Sequence, residues 1–484
     1  MTVYSAVVTT GIYCRPGCGA RPSADNVRTF ELAASAEAAG YRACLRCRPY
    51  RMVGSVPWDA PELVCRAVRL IIDGALDDDG TEAALAARLG WSGRHLRRMF
   101  QEHLGLTPDQ LARSRRTHFA RRLLDDTDMA VADVAFAAGF GSLRQFNRAM
   151  RDTFRDTPNS LRGRRRRADR LVTDGGLAIR LACSPPYDWE SMLARLAAER
   201  IPGVTAVDVA ERCYRRVITL DGDAGMLEVR PGGEDYLLLV AHLPYWEGLI
   251  HVVERIRHAL GLDADPEALP QLASDPLLAP LVQARPGLRV PGAWAPFEIG
   301  VAAAIRQHCG PAEATEHLGR LVKEHGIEVP GLPHNLTHAF PSATVLAAAD
   351  LGSIGPESAA SVHAFARAVE AGEIRLDGSM ALNDLVTLVS ALPGFDPTAA
   401  QHLAMRLGER DAFPAEDAEL RRALCHLDPA LAGEAATARA ENWKPWRALA
   451  ATHLIADTHA YDRDHAGQSL PSQAPDFPLG SRVA

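Results

Sequence analysis

Residues 81–108, TEAALAARLGWSGRHLRRMFQEHLGLTP, and residues 131–158, VADVAFAAGFGSLRQFNRAMRDTFRDTP, carry one arrangement twice. In each, an Ala-rich helical pattern meets a Gly-marked turn and a second helical pattern follows. The apolar spacing turns Leu96, Met99 and Phe100 inward in the first unit, and Leu143, Phe146 and Met150 inward in the second. Polar side chains are left on the outer faces. One such unit could be any helical bundle with a charged face, but two copies in one chain point to a doubled helix-turn-helix domain. We place it at 60–166. It begins near Pro61, after the Pro-flanked GSVPWDAPEL, and ends at Arg164–Arg167, a charge run that reads as a solvated linker touching phosphate.

Outward from this domain the chain has 484 residues, 47% of them hydrophobic and 23% charged, which excludes a disordered or fibrous protein and leaves room for three or four domains. The net charge of −7 conceals an asymmetry. Residues 1–170 hold 28 Lys and Arg against 19 Asp and Glu, whereas the remainder carries a net −16. Polyanion binding is therefore expected at the N-terminal end. No apolar stretch is long enough to span a membrane and the first residues lack a secretory pattern, so the expected location is cytoplasmic, with no membrane partner.

From Leu177 the runs LAIRLACS, VTAVDVAERCYRRVITL, GMLEVRPG and YLLLVAHL read as strands, with helices at WESMLARLAAER and LIHVVERIRHAL between them. This predicts an α+β domain with an antiparallel sheet at 175–286. Residues 287–462 show helical periodicity broken by LPGF and FPAED and predict an all-helical domain. Residues 463–484 read as a disordered tail. The fold class is thus multidomain, mainly α with α+β parts.

Nine cysteines are unevenly distributed, and Cys14, Cys18, Cys44 and Cys47 stand apart as C-x₃-C and C-x₂-C separated by 25 residues. In a reducing compartment two such pairs, approaching from separate loops, make a tetrahedral thiolate site for Zn²⁺ more readily than disulfides. Spacing alone is compatible with a closed zinc knot that only holds a small domain, 1–55, together. Cys65, Cys183, Cys213, Cys309 and Cys425 are expected to pack as small apolar side chains.

The segment TTGIYCRPGCGARPSADNV with AAGYRACLRCRP resembles the N-terminal domain of the Ada adaptive-response proteins, which repair methylphosphotriesters in DNA. The residues given ahead of the motif are too few for the helical lead-in usual in this family. The resemblance implies that Cys14 accepts a methyl group irreversibly and that Cys18, Cys44 and Cys47 complete the zinc site. Arg15, Arg21, Arg46 and Arg48 become candidate phosphate contacts. Methylating one of four thiolates would remove one unit of negative charge facing a polyanion, so affinity for DNA should rise after repair.

The doubled unit resembles the AraC-type DNA-binding domain, whose second helices enter adjacent major grooves. That implies reading by Arg94, His95 and Arg98 in the first unit and by Ser142, Arg144, Gln145 and Arg148 in the second. PPYDWESMLARLAAERIPGVTAV resembles the N-terminal domain of AlkA-type 3-methyladenine DNA glycosylases. ARPGLRVPGAWAPFE, ALPGFDP, DAFPAEDAELRRAL and ENWKPWRALAATHL resemble parts of their helix-hairpin-helix domain. By that match Asp417 is the carboxylate that stabilises the oxocarbenium-like sugar, although an Asp before a helical run is by itself usually a cap.

Several positions depart from the glycosylase pattern. The hairpin reads Leu392-Pro393-Gly394-Phe395-Asp396-Pro397-Thr398-Ala399, with Asp396 for a Gly and Thr398 for a Trp. His402, Ala418 and Ile455 stand where aromatic walls are common, and Arg306-Gln307-His308 replaces a G-Q-Q stretch. The expected protein is an alkylation-response fusion that joins methyl transfer, transcription activation and base excision. Its partners are alkylated and promoter double-stranded DNA and RNA polymerase, and its cofactor is Zn²⁺. The alternative is a methylation-sensing activator with a weak or silent glycosylase half.

Overall fold

Thr81, Ser92, Thr107, Ser142 and Thr157 start helices of the first third as side-chain caps, and the Gly-marked turns of both units fall at Gly90 and Gly139, each with positive φ. The computed structural model describes residues 3–465 apart from 20–21, 53–59, 78, 174, 266 and 432–433; of residues 458–465 it describes the backbone. Helix α2 (Glu62–Ile72) follows Pro61. In the first unit α3 (Glu82–Arg88) and α4 (Gly93–Leu104) are capped by Thr81 and Ser92 and meet at Gly90, φ 73°. The long α5 (Pro108–Asp126) starts from a reciprocal Thr107–Gln110 capping box. In the second unit α6 (Val131–Ala137) and α7 (Leu143–Phe154) precede the short α8 (Pro158–Gly163).

Leu96, Phe100, Phe146 and Met150 are buried and Met99 is half-buried. Leu143 corrects the expectation: as the first residue of α7 it lies on the outer face, 42% exposed. Of the Arg run, Arg164 pairs with Asp156 and Arg165 with Asp128.

The cysteine-rich segment contains more regular structure than loops alone. It is a four-stranded sheet in the order β3-β1-β2-β4, formed by β1 (Tyr4–Val7), β2 (Ile12–Cys14), β3 (Val27–Phe30) and β4 (Arg42–Ala43), with α1 (Ala33–Ala38) between the last two. Its side chains do not form a separate core. Tyr4, Tyr13 and Tyr50 join Phe119, Phe146 and Phe154 of the helical domain and Ile179 and Leu239 of the next domain in one apolar cluster. Leu32 and Ala34 enter the core of the first unit beside Leu70 and Phe100.

A charge cluster marks the same junction. Asp125 and Asp126 end α5, where the helix dipole disfavours carboxylates, so burying them there demands cations. Arg121 pairs with Asp125 at 2.7 Å, and Arg51 and Arg180 each reach Asp126 at 2.8 Å. Tyr50 donates its hydroxyl to Asp125 at 2.9 Å.

The α+β unit is a five-stranded antiparallel sheet in the order β5-β9-β8-β7-β6. Its strands are β5 (Leu177–Ala182), β6 (Thr205–Asp208), β7 (Cys213–Leu220), β8 (Asp223–Pro231) and β9 (Tyr236–His242). Helices α9 (Trp189–Ala198) and α10 (Leu249–Ala259) bury Trp189, Leu249 and Val253 in the same apolar cluster as the strands.

The rest is helical: α11 (Ala268–Leu272), α12 (Ala279–Ala284), α13 (Pro296–Arg306), α14 (Pro311–His325), α15 (Ala343–Ala348) and α16 (Pro356–Glu370). They are followed by α17 (Leu382–Ser390), α18 (Pro397–Arg406), α19 (Ala418–Leu427), α20 (Glu434–Ala440) and α21 (Arg447–His465).

Four expectations change here. The helical half is not all-α, because β10 (Ile327–Glu328) and β11 (His338–Ala339) form a ribbon; Leu336 and Ala339 at its end cover Val217 and Met226 of the five-stranded sheet. Helices α11 and α12, read as part of the α+β unit, bury Leu272 and Leu281 in the helical core. Arg463–His465 continue α21, and the remainder of the expected tail lies outside the described residues. Cys65, Cys183 and Cys213 are buried as expected, whereas Cys309 is half-buried and Cys425 exposed. Among the described residues no helix is long and apolar enough to cross a membrane.

Arg406 at the end of α18 donates to Glu199, which follows α9, and to the carbonyl of Gly292, so it ties the two C-terminal units together. Burial alone would raise the Glu199 pKa, but Arg406 and Arg195 outweigh it and bring it from 4.5 down to about 2. A lowered folded-state pKa means stabilisation that is present at neutral pH and lost as pH falls from 4.5 toward 2. Glu199→Gln should therefore cost about 3 kcal/mol at neutral pH. In urea unfolding its deficit against wild type should shrink progressively in acid, and a deficit independent of pH would contradict this assignment.

Candidate metal centre and nucleic-acid interface

The two cysteine pairs meet because the strands that carry them are neighbours. β2 and β4 pair in parallel with Tyr13 opposite Ala43, so Cys14 and Cys44 leave adjacent strand ends. The Cys44 amide donates to the Tyr13 carbonyl at 3.0 Å. Gly17, φ 73°, turns the chain back from Cys14 so that Cys18 closes the first pair. In the second pair the Arg48 amide donates to the Cys44 carbonyl at 3.0 Å, which folds Cys47 inward.

All four sulfurs lie within 4.8 Å of one another. Tetrahedral zinc with Zn–S near 2.3 Å places sulfurs about 3.8 Å apart, so the donor set and its dimensions fit Zn²⁺. Cys14 is buried and the other three are half-buried. Burial, then the neighbouring Cys47 and Cys44, push the Cys14 thiol far up. Burial also opposes ionisation of Cys44, but the amides of Cys47 and Arg46 and the neighbouring thiols bring it below the usual range. Four such groups cannot all be thiolates without a cation among them, and their chemistry makes the cluster a Zn²⁺-binding site.

Tyr13, the strand neighbour of Cys14, enters a hydrogen-bonded triad that spans two domains. Tyr13 donates its hydroxyl to Glu37 Oε1 at 2.6 Å, and His118 Nε2 on α5 meets the same oxygen at 2.6 Å. Burial would raise the Glu37 pKa, but His118, Ser114 and Tyr13 together hold it below the carboxylate range. The sequence offered no signal for this triad, because its members are scattered across 105 residues.

The four arginines proposed at phosphates divide. Arg15 and Arg46 are exposed beside the cysteines. Arg21 lies outside the described residues. Arg48 does not fit the role: it is 9% exposed and pairs with Asp169 at 2.8 Å and Asp125 at 3.7 Å, so it belongs to the junction at the end of α5.

On the helix-turn-helix units, Arg94 and Arg98 are exposed on α4, with His95 beside Arg98 at 3.1 Å and edge-on to Trp91. On α7, Arg144, Gln145 and Arg148 are exposed, and Arg148 lies 3.8 Å from Asp152. Ser142 spends its hydroxyl on capping α7, accepting from the Gln145 amide at 3.3 Å. Leu143 stands exposed among these polar residues.

In the C-terminal half Asp417 is the N-cap of α19 and also faces solvent. Its Oδ1 accepts the amides of Glu419 and Leu420, each at 2.9 Å, and its Oδ2 lies 2.9 Å from His402 Nε2 on α18. Burial pulls its pKa upward, but His402 and the two amides keep it below the usual carboxylate range, so it stays ionised. The cap reading and the active-carboxylate reading of this Asp are compatible.

The hairpin between α17 and α18 turns at Gly394, φ 75°, where a Cβ would lie 2.0 Å from Ser361 Oγ and 2.7 Å from His308 Nε2. Asp396 caps α18 and accepts the Ala399 amide at 2.7 Å. His308 bonds Ser361 at 2.9 Å, Ala418 is exposed and Ile455 is half-buried.

Three family models match successive parts of the chain: the metal-binding domain of Ada over residues 2–50, a helix-turn-helix domain over 85–164 and the AlkA N-terminal domain over 178–295. The probable bifunctional transcriptional activator/DNA repair enzyme AlkA of Mycobacterium tuberculosis is 38% identical over 93% of this chain and 91% of its own length. DNA-3-methyladenine glycosylase 2 of Escherichia coli is 28% identical over 56% of this chain and 94% of its own. A solved 3-methyladenine DNA-glycosylase from Archaeoglobus fulgidus superimposes with a TM-score of 0.50 at 20% identity, over 58% of this chain and 98% of that one, and so shares the fold of the C-terminal half. With an Ada-type metal centre, a helix-turn-helix pair and an AlkA-type sheet in this order, the chain belongs to the family of bifunctional transcriptional activator/DNA repair proteins.

Proposed function

We propose that the protein repairs alkylated DNA and regulates transcription in response to it, with three activities divided among its units. The four-sulfur cluster, set at two parallel strand ends, is the observation that carries this reading. When bound, zinc keeps the cysteines ionised at neutral pH and so supplies a thiolate nucleophile.

The Cys14 sulfur attacks the methyl carbon of a phosphotriester. As the S–C bond forms the C–O bond breaks, its electron pair leaves on the phosphate oxygen, and a diester and an S-methyl cysteine result. Arg15 and Arg46 hold the flanking phosphates. The recessed position of Cys14 favours a methyl group, which projects from the backbone, over the phosphate oxygens themselves.

The outer faces of α4 and α7 enter successive major grooves of a promoter, with Arg94, His95 and Arg98, then Arg144, Gln145 and Arg148, as base-reading or phosphate-positioning groups. Ser142 serves by capping the second of these helices. Leu143 is suited to contact a thymine methyl. RNA polymerase is the partner recruited, and the cytoplasm, where thiols stay reduced, is the compartment. In sequence terms the units correspond to 1–55, 60–166, 175–286 and 287–462, with α11 and α12 of the third packing into the core of the fourth.

Asp417 stabilises the cationic sugar as an alkylated base such as 3-methyladenine departs, and its low pKa keeps the required negative charge. A second reading has one observation in its favour. Asp396 puts a carboxylate on the N-terminus of α18 and occupies the Ala399 amide, a poor arrangement for gripping a DNA phosphate. It predicts a regulator whose glycosylase half is weak.

Two measurements test these assignments. Incubation of the zinc-loaded chain with methylated duplex should add the mass of one methyl group, mapped to Cys14 by peptide mass spectrometry; a metal-loaded protein that gains none is not a methyl acceptor. Wild type should release 3-methyladenine from alkylated DNA, and Asp417→Asn should lower the rate roughly a hundredfold or more. Equal release by the two removes Asp417 from the chemistry, and no release by wild type supports the second reading.

A further inference from the structure

We infer that His402 is a positioning residue for base excision, fixing the plane of the Asp417 carboxylate through its ring N–H. The inference rests on the proposed role of Asp417. An N-cap aspartate is held through one oxygen, and here the amides of Glu419 and Leu420 both converge on Oδ1. Those contacts leave the second oxygen free to swing about the side-chain torsion. His402 Nε2 removes that freedom by donating to Oδ2 at 2.9 Å.

The donor itself is rigidly mounted. His402 lies within α18, whose Ala399, Ala400, Leu403 and Ala404 are buried in the helical core. Its neighbour Gln401 accepts the Phe413 amide at 2.9 Å and so ties α18 to the loop that leads into Asp417.

Stability does not account for the pair. The side chains of His402 and Asp417 are 34% and 20% exposed, and part-exposed ion pairs of this kind contribute little to folding. Capping of α19 is already complete through Oδ1. What the histidine adds is orientation of a charge that must meet a developing cation from one direction, where a misplacement of about 1 Å can cost a hundredfold in rate. The imidazole supplies a flat ring and a donor together.

The experiment is single-turnover release of 3-methyladenine by full-length protein, with duplex affinity measured in parallel, for wild type, His402→Phe and His402→Gln. Phe keeps the ring and loses the donor; Gln loses the ring and keeps an N–H. The excision rate should fall about tenfold or more in His402→Phe while duplex affinity and the urea midpoint stay at wild-type values, and His402→Gln should recover most of the rate. A wild-type rate in His402→Phe overturns the positioning role and leaves Asp417 in place. Loss in both variants alike also overturns it, since the donor would then not be what matters. A wild type that releases no base overturns the reading of Asp417 and this inference with it.

Discussion

Two carboxylates at the end of one helix hold three segments of the chain in register. Asp125 and Asp126 sit where the α5 dipole is least hospitable to them, and both are buried, so neither is tolerable without cations. The cations come from separate places: Arg51 from the cysteine-rich segment, Arg121 from α5 itself and Arg180 from the first strand of the five-stranded sheet. Losing these cations together would strand buried charges, a defect that typically costs about 3 to 5 kcal/mol. This requirement, with the apolar cluster beneath it, makes the metal centre, the second helix-turn-helix unit and the sheet a continuous body.

That continuity matters for signalling. The strand bearing Cys14 also bears Tyr13, whose hydroxyl enters the Glu37–His118 triad on α5. α5 lies between the two helix-turn-helix units and contacts both α4 and α7. A change of charge at the sulfur cluster is thus two residues and two hydrogen bonds from the helix on which both DNA-facing helices rest.

The sequence was most informative where a pattern is local. Helical periodicity and Gly-marked turns located both helix-turn-helix units, and four β-branched and aromatic runs located the sheet between Leu177 and His242, with β6 and β7 falling inside one run. Close cysteine spacing located the metal ligands. What local pattern could not reveal was pairing at a distance. Arg48 looks like any basic residue beside a cysteine knuckle, and only the fold puts it against Asp169 and Asp125. Leu143 satisfied the inward spacing but stands at a helix start, where the first residue has no preceding turn to bury it. The strands of the metal domain were missed because they are two to four residues long, too short to display a period. His402 was noticed as a missing aromatic, whereas its role as a donor to Asp417 depends on two helices meeting.

At both proposed sites of chemistry the reacting group is prepared by its neighbours: at one, four sulfurs stand close enough to share a zinc ion that would keep them ionised, and at the other a carboxylate sits between two amides and an imidazole. The central claim concerns the first. On the proposed role of Cys14, its methylation removes one negative charge from the cluster that meets the DNA backbone, and a repair event thereby becomes a binding signal. It is tested most directly by titrating promoter duplex with zinc-loaded chain before and after stoichiometric methylation, at two salt concentrations. The account predicts tighter binding after methylation, with the gain larger at low salt. Identical affinities for the two forms at both salt concentrations would contradict it.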